Sequence, residues 1–238
     1  MKVAIIPARG GSKRISRKNI KKFAGRPMID FAVSAAIDCG MFDKIIVSTD
    51  DVEIANIAKD CGAEVPFIRS SELSDDYTPT VPVIANAISL LQNQGFCLDY
   101  ACCIYPGVPF ISKTDLISAF DILEKTGAGY CYPVTEFPSM IQRALKRLPN
   151  GKVQPINPQY EWTRTQDLEP AYFDAGQFYW GKVSSWLNGL GLQSHGSGLI
   201  IPQWRVVDID TNEDWTRAEL LYSSFNSQKN DIMANSIS

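Results

Sequence analysis

The chain has 238 residues, 26 acidic against 23 basic, a formal net charge of −3 at pH 7 and 45% hydrophobic residues. That length can bury a full core in one large domain, and the slightly acidic balance argues against a general nucleic-acid binder. No stretch approaches the ~20 apolar residues of a membrane span, so the reading is a soluble, cytoplasmic protein.

In chain order, strand and helix signals alternate with the spacing of a mostly parallel, doubly wound α/β sheet. An apolar strand, Val3 to Ile6, runs into the loop Pro7-Ala8-Arg9-Gly10-Gly11-Ser12-Lys13. Pro27 to Asp38 reads as a helix stopped by Gly40, Lys44 to Ser48 as a strand, Asp51 to Asp60 as a helix and Ala63 to Phe67 as a short strand. Arg69 to Pro82 reads as a loop, Val83 to Gln92 as a helix and Tyr100 to Ile104 as a central strand. Thr114 is placed to cap a helix ending at Lys125. From residue 134 to 173 prolines and polar residues replace clean periodicity, which predicts an inserted arm within a domain of residues 1–225. Regular structure is expected again at Gln177 to Trp180, Gly198 to Ile201 and Arg205 to Ile209. A last helix, Asn212 to Ser224, has Thr211 and Asp214 as a capping pair, and residues 226–238 read as a flexible tail.

Between Arg9 and Arg26 stand eight Lys or Arg residues and no acid. A basic run is often only a solvated face, but this one follows a buried strand and contains paired glycines, which suits a polyphosphate. The P-loop pattern and the dinucleotide fingerprint are both missing, so ATPase and NAD-dependent readings lose weight. Asp208-Ile209-Asp210 puts two carboxylates on one face of an extended chain with Cα atoms ~6.5 Å apart, a donor set suited to Mg²⁺ when nucleotide oxygens complete the shell. The alternative is that Asp210 merely caps the last helix. Asp50, at the end of the second strand, is open to the same two readings. The six cysteines lack C-x-x-C spacing and read as buried free thiols in a reducing compartment. The single histidine, His195, lies in a Gly/Ser-rich loop, which excludes a multi-histidine metal site.

The opening Ile6-Pro7-Ala8-Arg9-Gly10-Gly11-Ser12-Lys13, with Lys18-Asn19-Ile20, Ile46-Val47-Ser48-Thr49-Asp50-Asp51, Arg69 to Asp75 and Asp208-Ile209-Asp210-Thr211, resembles the CMP-sialic acid synthetase (cytidylyltransferase) family in family order along nearly the whole chain. Within it, Cys102 to Pro106, Thr163 to Leu168 and Asp174 to Trp180 are similar to the pseudaminic acid enzymes. The resemblance implies a nucleotide-diphospho-sugar transferase fold and transfer of CMP from CTP to an acidic nine-carbon sugar, pseudaminic acid, for surface or flagellin glycans. Legionaminic or neuraminic acid is the alternative sugar, and a noncatalytic nucleotide sensor the more distant alternative. It further implies a homodimer joined through the arm, with no nucleic-acid or membrane partner. By the same resemblance, Ala8, Arg9, Gly10, Gly11, Ser12, Lys13, Lys18, Asn19, Arg69 and Tyr105 bind nucleotide. Arg164, Gln166, Asp174 and Gln177 bind sugar, Asp208 and Asp210 hold Mg²⁺, and Arg9, Lys13, Asp208 and Asp210 serve catalysis. The base would be a carboxylate of the Asp208/Asp210 pair or a metal-bound hydroxide. Ser16, Ser70 and Gly107 depart from the family pattern.

Overall fold

The computed structural model describes residues 1–75 and 77–235, with the side chains of the last helix described up to Phe225. The first half comprises β1 (Lys2–Pro7), β2 (Lys22–Phe23), β3 (Arg26–Pro27), α1 (Met28–Cys39), β4 (Lys44–Ser48), α2 (Val52–Asp60), α3 (Thr80–Asn93), β5 (Tyr100–Ile104) and α4 (Lys113–Thr126). Then come β6 (Tyr130–Glu136), β7 (Leu145–Arg147), β8 (Val153–Pro155), β9 (Tyr172–Asp174), β10 (Phe178–Lys182), α5 (Val183–Leu187), β11 (Gly196–Ile200) and α6 (Asn212–Asn235).

The central sheet has seven strands in the order β11-β6-β10-β5-β1-β4, with β9 on β6. β4, β1, β5, β6 and β11 run one way, and β9 and β10 run against them. Strand residues are buried on both sides, so neighbours along β1 enter different cores. Ala4 and Ile6 face α1, α2 and α4, whereas Val3 and Ile5 face α3 and α5. Cys102 and Cys103 divide in the same way on β5. All six cysteines are free thiols; Cys39, Cys102, Cys103 and Cys131 are buried, Cys61 is half-buried, and Cys97 is exposed where the sequence suggested burial. Because α1 crosses over one face and α3 the other, the chain reverses its winding between β1 and β5. In a sheet of this kind a ligand crevice opens at that point, beyond the carboxyl ends of the strands.

A third, smaller core lies beneath α6. Phe23 packs edge-on against Phe31, Trp215 and Tyr222 at centroid separations of 5.4–5.5 Å, and Ile15, Phe110 and Ile209 join the same cluster. Aromatic pairs of this geometry favour one arrangement of their rings. Here they tie the basic loop, the loop after β5 and the Asp208–Asp210 segment together.

Several sequence expectations are corrected. Residues 63–67 form no strand; an isolated bridge joins Glu64 to Ile46 of β4, and a second joins Ile68 to Thr49 just beyond it. Helix α3 begins at Thr80, since Pro82 falls in its first turn, where a missing N–H breaks no helical bond. Ser112, not Thr114, caps α4, its side chain accepting from the Thr114 N–H at 3.3 Å. Strand β6 went unread because Pro133 interrupts it. Residues 206–210 join no ladder. Helix α6 runs past Ser224 to Asn235, through much of the expected tail; residues 236–238 lie outside the described residues.

Strands β9 and β10 are one strand with a break. From the pair Asp174–Val134 to the pair Trp180–Cys131, one chain advances six residues (174 to 180) and the other three (134 to 131). The extra residues bulge at Ala175-Gly176-Gln177, with Gly176 at φ 62°, opposite Pro133, which has no N–H to give a ladder. The arm proper is residues 137–171, built on the hairpin β7–β8 and carried out and back by the ladder of 134–136 with 172–174.

Candidate active site

Above the carboxyl ends of β1 and β5 opens a cleft of about 760 Å³. One wall is the basic loop, with Arg9, Ser12, Lys13, Arg14, Lys18 and Asn19 lining it. The loop is shaped from behind. Ala8 is fully buried and its N–H donates to Ser48 O at 2.9 Å, while the Gly10 N–H donates to Asp50 Oδ1 at 2.9 Å. Both amides are thus turned away from a ligand. Ala8, Gly10 and Gly11 do not line the cleft, although open space lies beside the Gly11 Cα. Gly10 must be glycine for a different reason than phosphate approach: a Cβ there would stand 2.6 Å from Asp51 Oδ2. Asn19, buried, ties the loop's ends by donating from Nδ2 to Arg9 O at 2.9 Å. Arg9 Nη1 donates to Asp75 O at 2.8 Å across the mouth.

Arg69 forms a second basic point in the cleft. It is 4% exposed, its Nε donates to Ser74 Oγ at 3.1 Å, and burial lowers its pKa, with nearby Asp50 acting in the opposite sense. A buried guanidinium at a ligand wall is suited to a planar or anionic partner.

The acidic segment sits opposite. Ile209 is anchored in the small core, with Asp208 exposed and Asp210 half-buried on either side of it. Asp210 pairs with Arg14 Nη1 at 2.7 Å and with Lys18 Nζ at 3.7 Å; Asp208 has no ion-pair partner among the described residues. The reading of Asp210 as helix cap is overturned, because Asp214 accepts from the Thr211 N–H at 2.9 Å and returns its own N–H to Thr211 Oγ1 at 3.1 Å. Asp50 likewise caps nothing; Asp51 caps α2. Among the described residues no group of three or more His, Cys, Asp or Glu could hold a metal by itself. Two carboxylates lining the same cleft fit a hard dication that takes most of its oxygens from bound phosphates and water.

The far wall is the bulge between β9 and β10, and it is rich in acceptors. Asp174 accepts from the Gly176 N–H and from the Tyr179 OH, both at 2.8 Å, and burial raises its pKa in spite of those bonds. Gln177, 4% exposed, donates from Nε2 to Arg205 O at 2.8 Å, leaving Oε1 buried without a partner among the described residues. Tyr105 OH meets Thr80 Oγ1 at 2.6 Å, and burial pushes the phenol up to about 12. Arg205, ion-paired with Asp115 and donating from Nη2 to Phe110 O at 3.1 Å, braces this wall against α4.

The cleft therefore brings together Arg9, Ser12, Lys13, Lys18, Asn19, Arg69, Tyr105, Asp174, Gln177, Asp208 and Asp210. Arg164 and Gln166 are exposed on the arm and do not line the cleft of their own chain. His195 is an exposed loop residue away from the cleft. Sequence reading missed Thr80, Arg14, Tyr179 and Arg205. Of these, Arg14 carried a signal as part of the basic run and Tyr179 as part of the stretch Asp174 to Trp180.

Residues 3–174 match the family model described as cytidylyltransferase. The chain belongs to the cytidylyltransferase family. It is 40% identical to the pseudaminic acid cytidylyltransferase of Campylobacter jejuni, across 92% of this chain and 95% of that one. It is 28% identical to the CMP-N,N'-diacetyllegionaminic acid synthase of Legionella pneumophila over the same shares of each chain. Among solved structures, a CMP:2-keto-3-deoxy-manno-octonic acid synthetase complexed with CTP superposes with a TM-score of 0.67 at 14% identity, covering 94% of this chain and 98% of that one, which establishes the shared fold.

Proposed function

We propose that this cytidylyltransferase couples CTP to pseudaminic acid, giving CMP-pseudaminic acid and pyrophosphate. The observation that carries the reading is the 40% identity to the Campylobacter jejuni enzyme along almost all of both chains. It is supported by a cleft with cations on one wall and buried acceptors on the other. The triphosphate lies along Arg9, Ser12, Lys13 and Lys18, with Asn19, Arg69 and Tyr105 toward the nucleoside. The anomeric hydroxyl attacks the α-phosphorus in line, and the bond to the pyrophosphate oxygen breaks. The hydroxyl proton passes to a carboxylate of the Asp208/Asp210 pair, and Lys13 and Arg9 meet the charge growing on the leaving group. Asp208 and Asp210 would hold Mg²⁺, which supplies charge neutralisation to the phosphates when bound.

The sugar lies against Asp174 and Gln177. Both present acceptors, so that wall is suited to hydroxyl or amide N–H groups, and the sugar's carboxylate requires a cation elsewhere. We assign that cation to Arg164 of a second copy in a homodimer, with Gln166 as a neutral amide donor beside it. Ile141, Leu145, Val153, Ile156 and Trp162 stand exposed on the arm, apolar surface that favours such a partner. No helix among the described residues is long and apolar enough to cross a membrane, and six unpaired thiols suit the reducing cytoplasm. The direct test is pyrophosphate release with pseudaminic acid and each of CTP, UTP, GTP and ATP. Turnover confined to CTP supports the reading, and equal turnover with another nucleotide refutes it.

A further inference from the structure

Directly behind the basic loop lies an acidic cluster that touches none of the cleft. Asp51 makes three contacts at once. Its Oδ1 accepts from the Ile54 N–H at 3.0 Å and so caps α2; both of its oxygens pair with Arg17, Nη2 reaching Oδ1 at 3.0 Å; and its Oδ2 packs against Gly10 too closely for any Cβ there. Glu53 also pairs with the Arg17 guanidinium. Arg17 itself stands at φ 54°, the left-handed region that side-chain-bearing residues avoid. Its carbonyl accepts from the N–H groups of both Ile20 and Lys21, at 3.0 and 2.9 Å, closing the turn that leads into Lys18 and Asn19. Neither Arg17 nor Asp51 lines the cleft.

We propose that Arg17 and Asp51 form a clamp that positions the nucleotide-binding loop before CTP arrives, acting through Gly10 at one end and Lys18–Asn19 at the other. A loop with this many cations and no acid repels itself when empty. The clamp draws one cation backwards onto α2, leaves Arg9, Lys13, Arg14 and Lys18 on the cleft side, and fixes the turn between them. Preorganised charge of this kind costs no rearrangement when the ligand binds. Both pKa shifts agree with a firm pair: the Arg17 guanidinium is raised and the Asp51 carboxyl lowered to about 2, each chiefly by their mutual hydrogen bond. Both residues are therefore positioning residues and not catalytic ones. The inference rests on the cytidylyltransferase reading, and not on which sugar is used.

The decisive variant is Asp51→Asn, because position and field predict opposite signs. Asparagine caps a helix as well as aspartate, so α2 is kept. Removing an anion near a triphosphate site strengthens CTP binding if only the field matters; a lost clamp weakens it. We expect the CTP dissociation constant, measured by calorimetry without sugar, to rise about tenfold for Asp51→Asn and for Arg17→Gln. The double variant should be no worse than the weaker single one, as for two residues acting as a unit. Arg17→Lys, which keeps the charge and loses the fork, should fall between wild type and Arg17→Gln. Amide exchange of residues 11–19 in the ligand-free protein should quicken in both single variants, a reading that needs no ligand. Affinity equal to or tighter than wild type in Asp51→Asn, or unaltered exchange in that loop, overturns the clamp. If wild type fails to bind CTP, the nucleotide reading falls, while exchange alone still decides whether the clamp orders the loop.

Discussion

The basic loop and the arm are both irregular segments, yet they are held in opposite ways. The loop is fixed within its own chain: Ser48, Asp50, Asp51, Asn19 and Ile15 each hold it from behind or below. The arm has a two-stranded hairpin and 3₁₀ turns, and it leaves Leu145, Val153, Ile156 and Trp162 between 58% and 91% exposed. The difference separates two jobs. A triphosphate site must have its charges in place beforehand, and a single chain can do this; on the proposed function, the sugar site would be completed by the arm of a second copy.

Substitutions in the loop should cost the most activity. Lys13→Ala should lower kcat by about 10²–10³-fold, the scale of losing one preorganised charge, with the fold intact by circular dichroism. Turnover near the wild-type rate would remove Lys13 from the chemistry. Next are the carboxylates. Asp208→Asn should move the Mg²⁺ titration of activity to about tenfold higher concentration. Asp210→Asn should do the same and also weaken CTP binding, because Arg14 and Lys18 lose the anion that holds them. Two variants with the wild-type Mg²⁺ titration would leave these residues with only a structural role.

At the arm, the paired change Leu145→Asp and Val153→Asp should give a monomer by ultracentrifugation. Its CTP affinity should stay within about threefold of wild type, while kcat/KM for the sugar falls at least tenfold. A monomer with unimpaired sugar kinetics would show that the cleft is complete in one chain. Asp174→Ala probes the sugar wall from within and should raise KM for the sugar while KM for CTP moves less than about threefold, under ~0.7 kcal/mol.

The smallest expected effect is on stability. The Asp51 carboxyl is held at about 2 against an ordinary 3.8, so its ionised pairing is fully stabilising above about pH 4 and is lost as the pH falls toward 2. For a half-exposed ion pair worth about 1 kcal/mol, wild type should melt about 2–4 °C above Asp51→Asn at pH 7. That gap should close between pH 4 and pH 2, and a gap constant with pH would show that the Asp51 charge is not its source.

The parts of this molecule legible in the sequence are those written locally. The alternating elements, the basic run after β1, the Asp208–Asp210 pair and the Thr211–Asp214 box each depend on residues a few positions apart. The illegible parts are long-range pairings. Strand β6 is masked by Pro133, tolerated because the partner strand bulges away just there. Residues 206–210 have a strand's alternation, but the Gln177 amide takes the Arg205 carbonyl and no neighbouring strand arrives. The role of Gly10 could not be inferred without knowing that Asp51, 41 residues on in the chain, packs against its Cα. At Gly107, a departure from the family pattern, a Cβ would stand 3.3 Å from Lys18 Cε, so the missing side chain leaves room for that lysine. Nothing in the structure explains Ser16 or Ser70.

On the proposed function, the acceptor wall of Asp174 and Gln177 and the basic loop together select pseudaminic acid for CMP transfer. The most direct measurement is kcat/KM with saturating CTP and Mg²⁺ for pseudaminic, legionaminic and neuraminic acids, read by pyrophosphate release and by chromatography of the CMP-sugar formed. We expect pseudaminic acid to be preferred by at least about 10²-fold, the discrimination available when mismatched sugars leave buried acceptors unpaired. Equal or higher kcat/KM for either of the other two sugars would show that this wall does not select pseudaminic acid.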